Sequence, residues 1–191
     1  MKEAIIKAFE ESIQAKQAFL GDNLETLIAV IDVIVSCFQK GNKLLLFGNG
    51  GSAADAQHIA AEFVNRFRIE RPPLPAIALT TDTSAITSIA NDYDYSEIFA
   101  KQVKALGKEG DVAVAISTSG NAANVLAAID ACKHLKITTI GLTGGEGGKI
   151  LRKPDYVLRV SETRNTARIQ ETHILVGHVI CEMVDQKLFP V

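Results

Sequence analysis

The segment Asp111–Asn121, DVAVAISTSGN, joins an apolar run to a loop of hydroxyl side chains, and a helical pattern continues from Ala122. The almost continuously apolar run Asp111–Ile116 is typical of a buried strand. A helix start offers unpaired backbone N–H groups and a partial positive charge. This strand–loop–helix unit therefore predicts a site for an anion, such as the phosphate of a small metabolite. An ordinary helix N-cap with additional serines is the alternative interpretation.

The remaining chain repeats the alternation of short apolar runs with helical patterns. The predicted strands are Lys43–Phe47, Pro75–Leu79, Asp111–Ile116, Ile137–Leu142 and Tyr156–Val160. The predicted helices that separate and follow them are Ala53–Phe67, Ser84–Ala90, Ser96–Leu106, Asn121–His134 and a long last helix over about Ala167–Lys187. Strands that are apolar on both faces are typical of parallel sheets covered by helices. We therefore predict an α/β fold, a three-layer α/β/α sandwich around a five-stranded parallel sheet.

Two further helices are predicted before the first strand, over residues 2–20 and 24–40, from apolar positions at helical spacing. Gly21-Asp22-Asn23 is expected to end the first of them, and Gly41-Asn42 the second. The 191 residues contain no repeat or linker, so we predict a single domain over residues 1–191.

Composition excludes several classes of function. The formal net charge is −2 at pH 7, which gives no electrostatic support for binding nucleic acid. No uncharged run approaches the ~18 apolar residues of a membrane span, and the N-terminus is charged too early for a signal peptide. Cys37, Cys132 and Cys181 form no CxxC pair and indicate buried thiols in a reducing compartment. We expect a cytoplasmic protein.

Parallel sheets of this type bind ligands beyond the carboxyl ends of their strands. The loops expected there are Gly48-Asn49-Gly50-Gly51-Ser52, Thr80-Thr81-Asp82, Ser117-Thr118-Ser119 and Thr143-Gly144-Gly145-Glu146-Gly147-Gly148. Gly48 and Gly50 fit the start of a dinucleotide fingerprint, but Ala53 replaces its third glycine and no acidic residue ends the next strand. For the second glycine-rich loop, a purely steric role is an open alternative.

Two predicted helices carry side chains suited to acid–base or metal chemistry. On the helix after the glycine loop, Asp55, His58 and Glu62 share one face, and a solvated face is the alternative. On the last helix, Gln170 and His178 share a broad face but lie ~12 Å apart along the axis. To bind one ion together, Gln170 and His178 would both have to extend toward each other. The alternative is that they converge across a subunit contact. For His173 we favour a surface or core histidine, and for His178 a core histidine is a fair alternative.

Together these segments resemble the sugar isomerase (SIS) domain family, and within it the phosphoheptose isomerases, nearly end to end. The motifs that carry the resemblance are FGNGGSAADAQHIAAEF (47–63), ANDYDY (90–95), AISTSGNAANV (115–125), LTGGEGG (142–148) and RIQETHILVGH (168–178). The resemblance implies an isomerase that interconverts sedoheptulose 7-phosphate and the corresponding manno-heptose 7-phosphate, a precursor of lipopolysaccharide heptose. It also implies a homotetramer with active sites at subunit contacts. Residues 1–40 would form N-terminal helices that pack against other subunits of this tetramer.

The resemblance also assigns roles to individual residues. It implies that Glu62 and His178 are the acid–base pair. It implies one zinc ion per subunit, held by His58, Glu62, Gln170 and His178. The residues implied to hold the sugar phosphate are Asn49, Gly50, Gly51, Ser52, Glu62, Asn91, Asp92, Ser117, Thr118, Ser119 and Gln170. A serine common in the family is replaced by Ala122, which removes one potential phosphate or hydroxyl contact.

A second branch of the same fold is the main alternative. Those tetrameric proteins bind the replication initiator and turn over no sugar, and this chain resembles them in ERPPLPAIAL (70–79) and LFP (188–190). They lack the carboxylate on the first crossover helix and the second histidine on the last helix. This chain has both, as Glu62 and His178, which favours the enzyme. A sugar-phosphate-sensing regulator ranks last, because no DNA-binding module precedes the domain.

Overall fold

The centre of the fold is a parallel sheet of five strands. The computed structural model describes residues 1–190 of the chain. The strands are β1 (Leu44–Gly48), β2 (Ala76–Ala78), β3 (Val112–Ile116), β4 (Thr138–Gly144) and β5 (Tyr156–Val160), and they lie in the order β2-β1-β3-β4-β5 across the sheet. All five predicted strands and their parallel arrangement are confirmed, with small shifts at the strand ends.

Helices cover both faces of the sheet. They are α1 (Lys2–Gln39), α2 (Gly51–Val64), α3 (Thr83–Asp92), α4 (Ile98–Leu106), α5 (Ala123–His134) and α6 (Thr166–Leu188). Short 3-10 turns lie at Tyr95–Glu97 and Gly148–Arg152. Helices α1, α2 and α6 enclose one hydrophobic core, and α4 and α5 enclose the other. The predicted three-layer sandwich is therefore confirmed.

Strand β1 illustrates why the predicted strands are apolar throughout. Leu44 and Leu46 pack in the core beneath α1, α2 and α6, whereas Leu45 and Phe47 pack in the core beneath α4 and α5. Successive side chains of a strand point to opposite faces, so a strand covered on both sides has no solvent-facing position.

The strand order reverses direction between β1 and β3, the position at which sheets of this type bind ligands. The chain runs from β1 outward to β2 and then returns to β3 on the other side of β1, so the direction of winding reverses there. At the ends of these strands Gly48 is paired with Ile116. A Cβ atom at Gly48 would lie 2.7 Å from the Ile116 carbonyl oxygen, so glycine allows this close approach. The glycine loop and the hydroxyl loop consequently lie side by side.

The prediction of two N-terminal helices is wrong, because α1 is one continuous helix through Gly21-Asp22-Asn23. Asn23 is buried against β5, where its amide donates to the Arg159 carbonyl oxygen and its Oδ1 accepts from the Arg159 N–H, both at 3.1 Å. Asp22 accepts a hydrogen bond from the Ser161 hydroxyl. Residues typical of a helix break thus bind β5, and these tertiary contacts outweigh their low helix propensity.

Two of the compositional expectations are tested by the structure. None of the helices within residues 1–190 has the length and apolar character needed to cross a membrane. Cys37, Cys132 and Cys181 are all buried free thiols, as predicted. Burial raises the pKa of Cys37 to about 11 and that of Cys132 to about 12, so both thiols stay protonated near neutral pH.

We expect Asn23→Ala to lower the free energy of unfolding by about 1–3 kcal/mol, because the buried backbone groups of Arg159 lose their partners. The control is Gly21→Ala on the same helix, where a Cβ atom meets open space. This change should raise the free energy of unfolding by about 0.5–1 kcal/mol. Urea unfolding measures both, and an Asn23→Ala protein as stable as the wild type would show that this contact does not fix α1.

Candidate active site

The glycine loop forms the start of α2 at the carboxyl end of β1. Gly50 is the N-cap residue and has a φ of 57°, a conformation that favours glycine. The adjacent Gly51 contacts α6, because a Cβ atom there would lie 2.3 Å from Nε2 of Gln170. Gln170 is therefore held against the first turn of α2, beside the predicted phosphate-binding residues.

The hydroxyl loop follows β3 and leads into α5. The Ser117 hydroxyl oxygen accepts a hydrogen bond from the Gly120 N–H at 3.1 Å, and the Ser119 hydroxyl oxygen accepts one from the Asn121 N–H at 3.3 Å. Ala122 caps α5 without a side-chain hydrogen bond. Within residues 1–190 the hydroxyls of Ser117, Thr118 and Ser119 donate to no other group, so they remain available to an anion.

The second glycine-rich loop supports the hydroxyl loop. A Cβ atom at Gly120 would lie 1.8 Å from the Gly147 carbonyl oxygen, so the two loops are in direct contact. The N–H of Ile150 donates to the Gly120 carbonyl oxygen at 3.0 Å, and the N–H of Lys149 donates to Oδ1 of Asn121 at 3.1 Å. These contacts agree with the steric alternative for this loop, since they fix the backbone of the hydroxyl loop.

Two residues that the sequence analysis missed hold Asn49 in place. Asn49 and the buried Asn124 exchange side-chain hydrogen bonds of 2.8 Å, which links the glycine loop to the first turn of α5. The Tyr95 hydroxyl also donates to Oδ1 of Asn49 at 3.3 Å. The sequence analysis gave neither residue a role, although Asn124 lies in the motif at 115–125 and Tyr95 in the motif at 90–95.

Asn91 and Asp92 lie exposed at the end of α3, where the Asn91 amide donates to the Asp92 carboxylate at 2.9 Å. Tyr95 follows three residues later and reaches the glycine loop. The structure therefore places this segment next to the glycine loop, and the substrate-binding roles of Asn91 and Asp92 stay predictions.

His58, Glu62 and His178 converge at one point between α2 and α6. Nε2 of His58 lies 2.9 Å from Nε2 of His178 and 3.2 Å from Oε1 of Glu62. The nearest ligand-type atoms of all three side chains lie within 4.8 Å of one another. Both helices belong to the same chain, so this cluster forms within one protomer.

The close packing of α2 against α6 explains the convergence. A Cβ atom at Gly177 would lie 2.4 Å from Cδ1 of Ile59, so the glycine lets the helices approach directly beside the cluster. Phe67 stacks on the His178 ring, with the ring centroids 5.5 Å apart and the planes inclined by 26°. The His58 side chain is nevertheless 48% exposed and that of Glu62 26%, so the cluster is accessible to a ligand.

The donor set of this cluster fits a metal ion. Two imidazole nitrogens and one carboxylate oxygen are typical ligands of zinc. The lone pairs of these three side chains repel one another at such short distances unless a proton or a cation lies between them. Gln170 contacts Gly51 in the first turn of α2, and its place among the implied zinc ligands stays a prediction. The structure thus brings together His58, Glu62 and His178, whereas Gln170 lies at the glycine loop.

Two further polar residues lie beneath the cluster. Oδ2 of Asp55 is buried and has no hydrogen-bond partner within residues 1–190, and burial raises the pKa of this carboxyl while the nearby His58 opposes the shift. His173 is buried, with Nε2 3.1 Å from the Thr143 carbonyl oxygen. Burial lowers the pKa of His173 to about 4, so its ring is neutral near pH 7. The prediction of a structural role for His173 agrees with this position.

Comparison with known proteins identifies the family. The SIS domain family model matches residues 8–144. The phosphoheptose isomerase of Thermodesulfovibrio yellowstonii is 52% identical over 191 residues, which cover 100% of this chain and 94% of the relative. The structure of a phosphoheptose isomerase from Neisseria gonorrhoeae matches with a TM-score of 0.91 and 46% identity, covering 97% of this chain and 98% of that one.

A second solved structure gives the same result. The phosphoheptose isomerase from Francisella tularensis matches with a TM-score of 0.92 and 43% identity, covering 96% of this chain and 97% of that one. Relatives with these degrees of identity span nearly the whole chain, including both helices of the His58–Glu62–His178 cluster. The chain therefore belongs to the SIS domain family and, within it, to the phosphoheptose isomerases.

Proposed function

We propose that this protein is an isomerase that converts D-sedoheptulose 7-phosphate into D-glycero-D-manno-heptose 7-phosphate, a precursor in heptose and lipopolysaccharide synthesis. The observation that carries the proposal is the convergence of Glu62, His58 and His178 beside loops suited to a phosphate. The names of the relatives support the same reaction. The alternative, a non-catalytic protein that binds the replication initiator, is not favoured, because this chain has both the carboxylate and the second histidine.

The reaction needs two groups that move protons. Aldose–ketose isomerisation transfers a proton between C1 and C2 through an enediol(ate), and the hydroxyl protons at these carbons must move as well. Glu62 removes the proton from carbon and returns it to the neighbouring carbon. His178 exchanges the hydroxyl protons. A carboxylate and an imidazole suit these tasks near neutral pH, and each contributes ~10²–10⁴-fold to the rate.

The loops at the ends of β1 and β3 hold the other end of the substrate. The hydroxyls of Ser117, Thr118 and Ser119, with the first backbone N–H groups of α5, bind the phosphate. Asn49, Gly50, Gly51 and Ser52 hold the sugar, with Asn91 and Asp92 beside them. The contact of Gln170 with Gly51 supports its role in binding substrate. Fixing the phosphate orients C1 and C2 toward Glu62 and His178.

His58, Glu62, Gln170 and His178 would hold one zinc ion per subunit, and the first, second and fourth of them converge within the protomer. When bound, zinc polarises the substrate carbonyl and stabilises the negative charge that develops on the enediolate oxygen. Glu62 cannot be a tight ligand and a free base at the same moment, so its two roles compete. His58 takes no part in the proton transfers and therefore separates the two functions experimentally.

An exposed apolar side of α1 supports assembly into a homotetramer through residues 1–40. The large apolar side chains that α1 exposes are Ile5, Ile6, Phe9, Ile13, Leu20, Leu24 and Ile28. An apolar groove continues this surface between α1 and α6, lined by residues such as Leu24, Ile28 and Met183. Apolar surfaces of this extent typically mark a protein–protein contact. The buried, free cysteines support a cytoplasmic location.

Glu62→Gln should lower kcat for sedoheptulose 7-phosphate roughly 10²–10⁴-fold, because the amide cannot accept the carbon proton. A coupled assay that detects the aldose product measures this. Glu182→Gln is the matched control, since Glu182 is a partly exposed carboxylate one turn after His178. Wild-type turnover no faster than that of Glu62→Gln would remove the proposed function.

Protein purified without a chelator should contain zinc at about one equivalent per chain, and His58→Ala should lose it, because the variant removes one of three converging donors. Metal analysis by mass spectrometry measures the content. His134→Ala is the control, since His134 lies exposed on α5. Full zinc retention in His58→Ala would contradict the proposed ligand set.

The double variant Phe9→Glu, Ile13→Glu should dissociate the tetramer, because it places charges in the apolar contact surface. Light scattering coupled to size-exclusion chromatography gives the mass. Lys7→Glu, an exposed charge reversal on the same helix, is the control. A tetramer that survives the double variant, or a wild-type monomer, would contradict assembly through this part of α1.

A further inference from the structure

Arg71 connects the end of α2 to α6 from a fully buried position. Its side chain is only 1% exposed. Nε donates to Oδ1 of Asp185 at 2.8 Å, Nη2 donates to the carbonyl oxygen of Glu62 at 2.9 Å, and Nη1 donates to that of Phe63 at 2.8 Å. The guanidinium therefore contacts both helices that carry the active-site cluster.

These hydrogen bonds provide donors for carbonyl groups in the last turn of α2. The last carbonyl groups of a helix have no intrahelical partner, and a guanidinium supplies several donors in a rigid, planar arrangement. Asp185 follows His178 by two turns on the same face of α6. One side chain thus fixes the last turn of α2, which includes Glu62, relative to the part of α6 that follows His178.

We propose that Arg71 is a positioning residue that sets the separation between the Glu62 carboxylate and the His178 imidazole. Arg71 contacts no reacting atom and acts through the backbone of Glu62 and through Asp185. A lysine keeps the positive charge but cannot reach the two α2 carbonyls and Asp185 together, because it lacks the planar arrangement of donors. The kinetic test of this proposal rests on the proposed isomerase function, whereas zinc titration and a crystal structure test it independently of turnover.

The competing explanation is that Arg71 and Asp185 form an ion pair that only stabilises the fold. A double variant distinguishes this explanation from a positioning role. Removing one member of a buried pair leaves an uncompensated charge, whereas replacing both with apolar residues of similar volume often preserves stability. Arg71→Met with Asp185→Leu should therefore melt at a higher temperature than Arg71→Met alone, whereas both variants lose the contacts with the α2 carbonyls.

The pair Arg68–Glu182 provides a matched control. It joins the same two parts of the chain, with Nη1 of Arg68 2.6 Å from Oε1 of Glu182, but the Arg68 side chain is 67% exposed. Among residues 1–190, the Arg68 side chain donates a hydrogen bond to Glu182 and to none of the α2 carbonyls. Arg68→Gln therefore removes a link between these segments without altering the end of α2.

Steady-state kinetics and zinc titration should be measured for Arg71→Lys, the double variant and Arg68→Gln. We expect kcat and zinc affinity of the first two to fall about 10–100-fold, as is common when a residue that orients ligands is removed. KM should change little, since the phosphate is held by the loops at β1 and β3. Arg68→Gln should match the wild type.

Wild-type kcat in both Arg71 variants, or a loss that follows only the fraction of unfolded protein, would overturn the inference. An equal loss in Arg68→Gln would do the same. If the wild type itself turns over no sedoheptulose 7-phosphate, the proposed function fails and a crystal structure of Arg71→Lys decides the inference. The distance between the Glu62 carboxylate and the His178 imidazole should then be longer than in the wild type, and an unchanged separation would refute the role of Arg71.

Discussion

The direct packing of α2 against α6 is the interaction on which the candidate site depends. Gly177 permits it, because any side chain there would overlap Ile59. Without this contact, His178 on the last helix would have no fixed relation to His58 and Glu62 on the first crossover helix. Residues more than a hundred positions apart in the chain are thus brought within hydrogen-bond distance by two helices that pack on the same face of the sheet.

The sheet adds the second half of the site. The reversal of winding between β1 and β3 puts a glycine-rich loop and a hydroxyl-rich loop next to each other, and Asn49 and Asn124 connect them. Helix α2 starts in the glycine loop and ends after Glu62, so it joins the loops proposed to bind the phosphate to the carboxylate proposed to transfer the proton. One helix therefore relates the proposed position of the phosphate to that of the proposed base.

Patterns that depend on local chemistry were predictable from the sequence. The apolar runs gave all five strands, and Ser117-Thr118-Ser119 indicated the loop at the end of β3. The spacing of His58 and Glu62 placed both on one helix face, and their meeting with His178 was implied by the family resemblance. These features follow from the periods of strands and helices and from the position of polar residues after buried strands.

Features that depend on distant contacts were not predictable. Gly21-Asp22-Asn23 has the composition of a helix break, yet Asn23 binds the backbone of β5, 136 residues away in sequence. Arg71 precedes two prolines, a pattern that locally indicates only a break before a strand, and its partner Asp185 lies on the last helix. Nothing in the local sequence of either residue encodes its partner. The same holds for Gln170, whose helix position did not reveal its contact with Gly51.

A crystal structure of the assembled protein with sedoheptulose 7-phosphate bound tests the central claim most directly. The account predicts the phosphate at the Ser117–Ser119 loop, with C1 and C2 of the sugar between Glu62 and His178 at roughly 3 Å, the distance of a hydrogen bond or proton transfer. A phosphate bound elsewhere, or Glu62 and His178 found in separate compartments of the oligomer, would contradict it.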